Sequence, residues 1–345
     1  MQTQTERQEA MSAAATAPLT LGGRPFCAGE SRVAVLGAGV MGPGIAQVFA
    51  EHGFDVDLCD PSPQALERAC ATLGESLDLK VQLGLADRTA ADQALSRVRT
   101  QTDSQEALVR ADLVVEAVFE NADVKRAVYE TVAARSAPHA VVWSNTSTMN
   151  VFELAPPALR PRLVVAHWFA PAHILPLVEV VGDEHTAPAL LAETDALLRA
   201  LGKAPVRLEK FVPGFIINRL LRALGREAFH LLESGVISVE NLDAAVRTSL
   251  APRMQVLGLM QRYDYTGLGL SLRNLADPRF EDAPVNLRPD ALQQRVDKGE
   301  LGVATGKGFY DYAGRGALEL QHARDVRLWQ VVRALGELVT DPRPI

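Results

Sequence analysis

Val33-Ala34-Val35-Leu36-Gly37-Ala38-Gly39-Val40-Met41-Gly42 decides the fold of this chain. Four apolar residues of buried-strand length run into three glycines spaced G-x-G-x-x-G, and Ile45 to His52 then carries a helical pattern. A second strand-like run, Val56 to Cys59, ends in Asp60. Strand, tight turn, helix and strand within about thirty residues make the βαβ unit of a parallel sheet.

The alternation continues outward from that unit. Residues 62–83 read as helix, 111–119 as a strand centred on Val114-Val115, 124–134 as helix and 140–144 as strand. Strands recur at 162–167 and 175–181, followed by a helix at 188–201 and a strand at 204–208. This predicts an α/β fold whose N-terminal domain, residues 31–212, is Rossmann-like and doubly wound. The character changes at Pro213, where Phe215, Ile216, Leu220, Leu224, Ala228 and Leu231 fall at helical spacing. Gly235 closes that helix and Ser238 is placed to cap the next. No strand alternation returns, so residues 213–312 are expected to be an all-helical C-terminal domain. Residues 313–345 are expected to be a helical extension with Val326, Trp329, Val332, Leu335 and Leu338 on one face. Residues 1–30, rich in Ala, Thr and Gln, are expected to be a disordered tail.

Composition excludes several classes. With 345 residues, 48% of them hydrophobic, the chain has core material for two domains. The net charge of −7, without a dense Lys/Arg cluster, lacks the footprint of a nucleic-acid binder. No charge-free apolar run approaches the ~18 residues needed to span a bilayer, and the N-terminus lacks a secretory signal's basic and apolar regions. Cys27, Cys59 and Cys70 form no C-x-x-C pair and show no metal-ligand spacing. No metal is therefore expected, and a reducing, cytoplasmic setting fits best.

The glycine turn carries the first chemical expectation. Gly37 makes the tight turn, Gly39 lets backbone approach a pyrophosphate, and Gly42 packs helix against strand. The helix N-terminus, reached through Val40 and Met41, offers N–H donors to phosphate oxygens. Asp60 is placed to accept hydrogen bonds from a ribose, which favours NAD over a 2′-phosphorylated cofactor. Asp60 also has a second reading, as the N-cap of the helix beginning near Pro61.

Further polar positions lie in apolar or turn-like surroundings. Ser144-Asn145-Thr146-Ser147 follows a strand, His167 ends Leu163-Val164-Val165-Ala166, and Asn218 lies within Gly214-Phe215-Ile216-Ile217-Asn218. Glu179 interrupts Leu175-Pro176-Leu177-Val178-Glu179-Val180-Val181. A carboxylate in a buried strand is costly unless paired, and His167 on the preceding strand is a natural partner. Imidazole is the side chain whose ordinary charge change falls nearest neutral pH, which suits proton transfer. On the residues alone, His167 can also be a core histidine, Ser147 a turn cap and Asn218 a packing amide.

Together with Glu116 to Glu120, Lys125, Asp264-Tyr265-Thr266-Gly267-Leu268 and Thr305-Gly306-Lys307-Gly308-Phe309-Tyr310, these motifs resemble the 3-hydroxyacyl-CoA dehydrogenase family over residues 32 to 312. The resemblance implies an NAD-dependent oxidation of a 3-hydroxy acid or its thioester, and a homodimer formed through the helical domain. It makes His167 the base that takes the hydroxyl proton and Glu179 the group that holds its ring. Ser147 and Asn218 would meet the substrate oxygens, and Glu120, Lys125 and Asn145 would line the cofactor.

Two departures bear on the substrate. Ala170-Pro171 stands where the family usually has Asn-Pro, and the helix after Asp60 offers only Arg68 and Lys80 where fatty-acid-oxidising members carry basic residues for the CoA phosphates. The Ala172–Glu179 stretch is similar to the branch of gulonate dehydrogenases and lambda-crystallins. A small 3-hydroxy acid, free or as a thioester, is therefore the leading substrate class, with a short-chain 3-hydroxyacyl-CoA as the alternative. A non-catalytic NAD-binding structural protein is the alternative from another class.

Overall fold

The structure, a computed structural model, describes residues 18–336. The chain divides into two compact units, Met1–Phe215 and Ile216–Ile345.

The first unit is built on an eight-stranded sheet of order β10-β9-β8-β7-β6-β3-β4-β5. Its strands are β3 (Arg32–Leu36), β4 (Asp55–Cys59), β5 (Val98–Gln101), β6 (Leu113–Glu116), β7 (Val141–Ser144), β8 (Leu163–Trp168), β9 (Leu177–Val181) and β10 (Ala204–Arg207). Side chains alternate across the sheet, so each strand feeds two cores. Val33 and Val35 face the layer of Phe49, Leu58, Trp143 and Trp168. Ala34 and Leu36 face the layer of Tyr129, Val142, Phe152 and Leu163.

From β5 to β8 the sheet is parallel, but β8 and β9 run antiparallel. The sheet is thus mixed rather than parallel throughout. The cause is connector length: residues 169–176 are too few for a parallel crossover, which needs roughly a dozen or more. That reversal sets His167 directly opposite Glu179.

Two features depart from the sequence expectations. Residues 18–30 are not a tail: Thr20–Leu21 (β1) and Arg24–Pro25 (β2) form a hairpin, and residues 1–17 lie outside the described residues. Leu21 and Phe26 are buried, Phe26 stacks on Phe54 at 5.0 Å between centroids, and the Gly23 N–H donates to Glu193. Residues 84–110, left without elements by the sequence pattern, hold the helices Arg88–Ser96 and Gln105–Arg110 around β5.

The second unit is helical. Ile217–Glu233 ends at Ser234-Gly235, where Gly235 takes φ +68°. Ser238 caps Val239–Ala245 by accepting the Asn241 N–H. A π-helical turn continues into Ala251–Thr266, and Leu268–Leu275, Asp290–Asp297 and Ala317–Leu335 follow. Leu338, expected on one face of the last helix, lies with the rest of residues 337–345 outside the described residues.

Candidate active site

Antiparallel pairing of β8 with β9 brings the His167 Nδ1 within 2.8 Å of the Glu179 Oε2, with both side chains buried. A carboxylate can only accept, so Nδ1 carries the hydrogen and Nε2 presents a lone pair. Phe169 and Phe215 pack against the ring, with centroids 4.4 and 5.3 Å away. The arrangement holds the imidazole in one tautomer within an apolar wall.

The turn after β7 lies beside that strand. The Trp168 N–H of β8 donates to the Asn145 side-chain oxygen at 2.8 Å, tying the turn to the histidine's own strand. Glu120 gathers the rest. Its carboxylate accepts from the Thr146 hydroxyl at 2.7 Å, the Ser147 N–H at 2.9 Å and hydroxyl at 3.2 Å, and the Thr148 N–H at 2.8 Å. Burial opposes ionisation of Glu120, but the Thr146 hydrogen bond, the Lys125 charge and the Thr148 and Ser147 amides outweigh it and carry the carboxyl down to about 2. Two residues assigned separately, one to cofactor and one to substrate, are therefore joined.

Lys125 departs from the expectation of a cofactor-lining helical lysine. Its side chain is 1% exposed, and its ammonium sits 2.6 Å from Glu116 and 3.3 Å from Glu120. Glu116 is wholly buried and also accepts from the Val118 N–H, the Tyr129 hydroxyl and the Ser144 hydroxyl. Sequence reasoning assigned no role to Glu116 or Tyr129. The signal was available, since Glu116 ends an apolar strand just as Glu179 interrupts one.

At the carboxyl ends of β3 and β4 the glycine turn is shaped by close approach. Gly37 has φ +109°, and a Cβ on it would overlap the Ala117 carbonyl oxygen. A Cβ on Gly42 would overlap the Gly37 carbonyl oxygen. At Gly39 a Cβ would meet no protein atom within 4 Å, so the space in front of the helix Gly42–Glu51 is open. Val40, within the turn, and Phe119, two residues past the Ala117 that crowds Gly37, are 87% and 85% exposed. Asp60 accepts the Ala38 N–H on one oxygen and the Ser62 N–H on the other, both at 2.9 Å. It is not the cap of the following helix; Ser62 caps Pro63–Gln82 by accepting the Ala65 N–H. These residues fit a dinucleotide: an open glycine cradle, a helix N-terminus and a strand-end carboxylate. Asn218 lies in the first turn of Ile217–Glu233, in the second unit.

Fold and cradle together define a dinucleotide-binding protein of the Rossmann class. Residues 32–211 match the 3-hydroxyacyl-CoA dehydrogenase NAD-binding domain, and residues 214–312 match the C-terminal domain of the same enzymes. The chain belongs to the 3-hydroxyacyl-CoA dehydrogenase family. It is 35% identical over 307 residues to the 5-formyl-3-hydroxy-2-methylpyridine 4-carboxylate 5-dehydrogenase of Mesorhizobium japonicum, covering 88% of this chain and 97% of the relative. It is 34% identical over 291 residues to the 3-hydroxybutyryl-CoA dehydrogenase of Bradyrhizobium diazoefficiens, covering 82% and 96%. A crystal structure of a 5-formyl-3-hydroxy-2-methylpyridine 4-carboxylic acid 5-dehydrogenase superposes with TM-score 0.79 at 33% identity, covering 88% of this chain and 98% of that one. The chain is an NAD-dependent dehydrogenase acting on a secondary alcohol. Among the described residues no helix is long and apolar enough to cross a membrane.

Proposed function

We propose that this enzyme oxidises a small 3-hydroxy acid, free or carrier-bound, to the 3-oxo acid, with His167 as the base. The observation that carries the reading is the buried 2.8 Å pair of His167 with Glu179. His167 Nε2 takes the hydroxyl proton, and Glu179 offsets the charge that then develops on the ring. Ser147 and Asn218 meet the substrate oxygens, and Ser147 is itself held by Glu120. Bound NAD supplies the hydride acceptor. Gly37, Gly39, Val40, Met41, Gly42, Asp60, Glu120 and Asn145 hold the cofactor, and Lys125 acts from beneath through Glu120. Asp60 carries charge of the same sign as a 2′-phosphate, so NADH is expected to bind more tightly than NADPH in a fluorescence titration. Equal or tighter binding of NADPH would remove Asp60 from the cofactor site.

The free-acid preference rests on the helix Pro63–Gln82. Of its two basic residues, Lys80 is engaged by Glu51 at 2.7 Å, which leaves Arg68 as that helix's remaining cation. Exposed charge contacts are worth about 1 kcal/mol or less each, but a CoA moiety would forgo several of them together. A free carboxylate needs one or two donors. Higher kcat/KM is therefore expected on small free or carrier-bound 3-hydroxy acids than on 3-hydroxybutyryl-CoA, read by NADH absorbance across a panel. A tenfold preference the other way, about 1.4 kcal/mol, would make the short-chain hydroxyacyl-CoA reading the right one.

A second copy of the chain is the proposed partner of the helical unit. Leu268, Leu272 and Leu275 recur at helical spacing on Leu268–Leu275 and are largely exposed, as is Phe280, apolar surface that a second copy would cover. Light scattering is expected to give the dimer mass; a monomer at micromolar concentration would refute the assignment.

A further inference from the structure

Residues 169–176 join the strand of His167 to the strand of Glu179, so the geometry of the pair depends on how this loop is held. Its centre is a single turn in which the Ile174 and Leu175 N–H groups both donate to the Pro171 carbonyl at 3.0 Å. Two other carbonyls of the turn are capped by one side chain. The Lys203 ammonium donates to Ala172 O at 2.6 Å and to Leu175 O at 3.1 Å. The turn also touches the cofactor cradle. A Cβ on Gly44, in the first turn of Gly42–Glu51, would lie 3.2 Å from the Ala172 Cβ and 3.4 Å from the His173 Nδ1. Lys203 thus grips a turn that abuts the dinucleotide helix on one side and continues into the histidine strand on the other.

The lysine itself is unusual. It is 7% exposed, and its ammonium lies 5.2 Å from the Trp168 ring centroid. Burying an ammonium against neutral carbonyls is costly, and a core position needing only volume would take a methionine or leucine without that cost. Burial pulls its pKa down to about 8; Glu51, on the cofactor helix, opposes the shift, and Lys80, on Pro63–Gln82, adds to it.

We propose that Lys203 is a positioning residue for the oxidation: by capping the Ala172 and Leu175 carbonyls it fixes the 171–175 turn, and through it the place of His167 relative to the cofactor helix. This rests on the reading of His167 as the base. The Ala170 that replaces the family's asparagine lies at the start of the same loop, so the ammonium holds from within a segment that lacks one side-chain amide.

The test uses the full chain with Lys203→Met and Lys203→Arg, assayed with NAD and the better of 3-hydroxybutyrate and 3-hydroxybutyryl-CoA, each also deuterated at C3. Because misplacement of reacting groups by about 1 Å costs on the order of 10²-fold, Lys203→Met is expected to lower kcat by that order. NADH affinity should stay near wild type, and the deuterium isotope effect should rise as hydride transfer becomes limiting. Lys203→Arg, whose charge persists at all working pH, should recover part of the rate and lose the fall in kcat that is expected of the wild type above pH about 8. A Lys203→Met enzyme with near wild-type kcat overturns the proposal. So does a joint loss of rate and NADH affinity with an unchanged isotope effect, which marks a merely structural role. Should Lys203→Met fail to fold, the Arg variant decides, and an unaltered alkaline limb counts against the proposal. A parallel His167→Ala separates the two readings: if it remains active, the base assignment fails; if it is inactive while Lys203→Met is normal, only this inference fails.

Discussion

Replacing His167 with alanine is expected to abolish most turnover while NADH binds as tightly as before. The expectation follows from where the ring sits. Nδ1 is committed to Glu179 across the antiparallel β8–β9 pair, and Phe169 and Phe215 enclose the ring. No part of that arrangement involves the glycine turn, so cofactor affinity has no reason to change. General-base catalysis contributes typically about 10²–10⁴-fold, and a loss within that range in kcat is the expected result. Glu179→Gln should do less harm. An amide oxygen still accepts the Nδ1 hydrogen and keeps the tautomer, but it offers no charge to the imidazolium formed as the proton arrives. Inside a buried pair that charge matters more than it would in water. Oxidation and the reverse reduction should fall together, since the same proton crosses the same atom in both directions. Steady-state NADH absorbance with a fluorescence titration decides the matter. A His167→Ala enzyme with near wild-type kcat would place the base elsewhere.

How far the sequence carries this picture differs from element to element. The strand, glycine turn and second strand through Asp60 were readable because a buried parallel strand is a continuous apolar run and the turn permits only glycine at Gly37 and Gly42. β5 was not readable. Val98-Arg99-Thr100-Gln101 is the sheet edge, half exposed, and its polar residues carry no apolar periodicity. The N-terminal hairpin escaped for a related reason: each strand has two residues, too short for any pattern, although Gly22-Gly23 between them is a hairpin turn signal. At the site, the pairing of His167 with Glu179 was legible from chemistry, because a lone carboxylate in an apolar strand demands a partner. The role of Lys125 was not, because a lysine on a mixed-polarity helix gives no sign of its direction. Its spacing with Tyr129 and Val132 holds the clue. Those three share one face of Ala122–Arg135, and all three are buried.

That buried face supports the second large effect, which concerns stability. Lys125→Met should destabilise the first unit far more than loss of a surface ion pair. Glu116 is wholly buried, and its carboxylate receives the Lys125 ammonium at 2.6 Å together with three neutral donors. The Tyr129 phenol cannot take over the compensation by ionising: burial and the neighbouring Glu116 charge both push its pKa well up, so it remains a neutral donor. Removing the ammonium therefore leaves an uncompensated charge in the core, for which the usual penalty is about 3–5 kcal/mol. By contrast, the exposed Arg88–Asp78 contact is screened by water and its loss should change stability little. In a domain of this size 1 kcal/mol moves Tm by about 2–4 °C, so a fall on the order of 10 °C is expected. Adding Glu116→Gln to Lys125→Met should restore much of the loss, because the orphaned charge goes with it. Lys125→Met also strips Glu120 of its counter-charge while leaving the Thr146, Ser147 and Thr148 donors in place. The turn should loosen, and KM for the hydroxy acid should rise in the fraction that folds. A Tm near wild type combined with weakened NADH binding would reverse this reading and return Lys125 to direct contact with the cofactor.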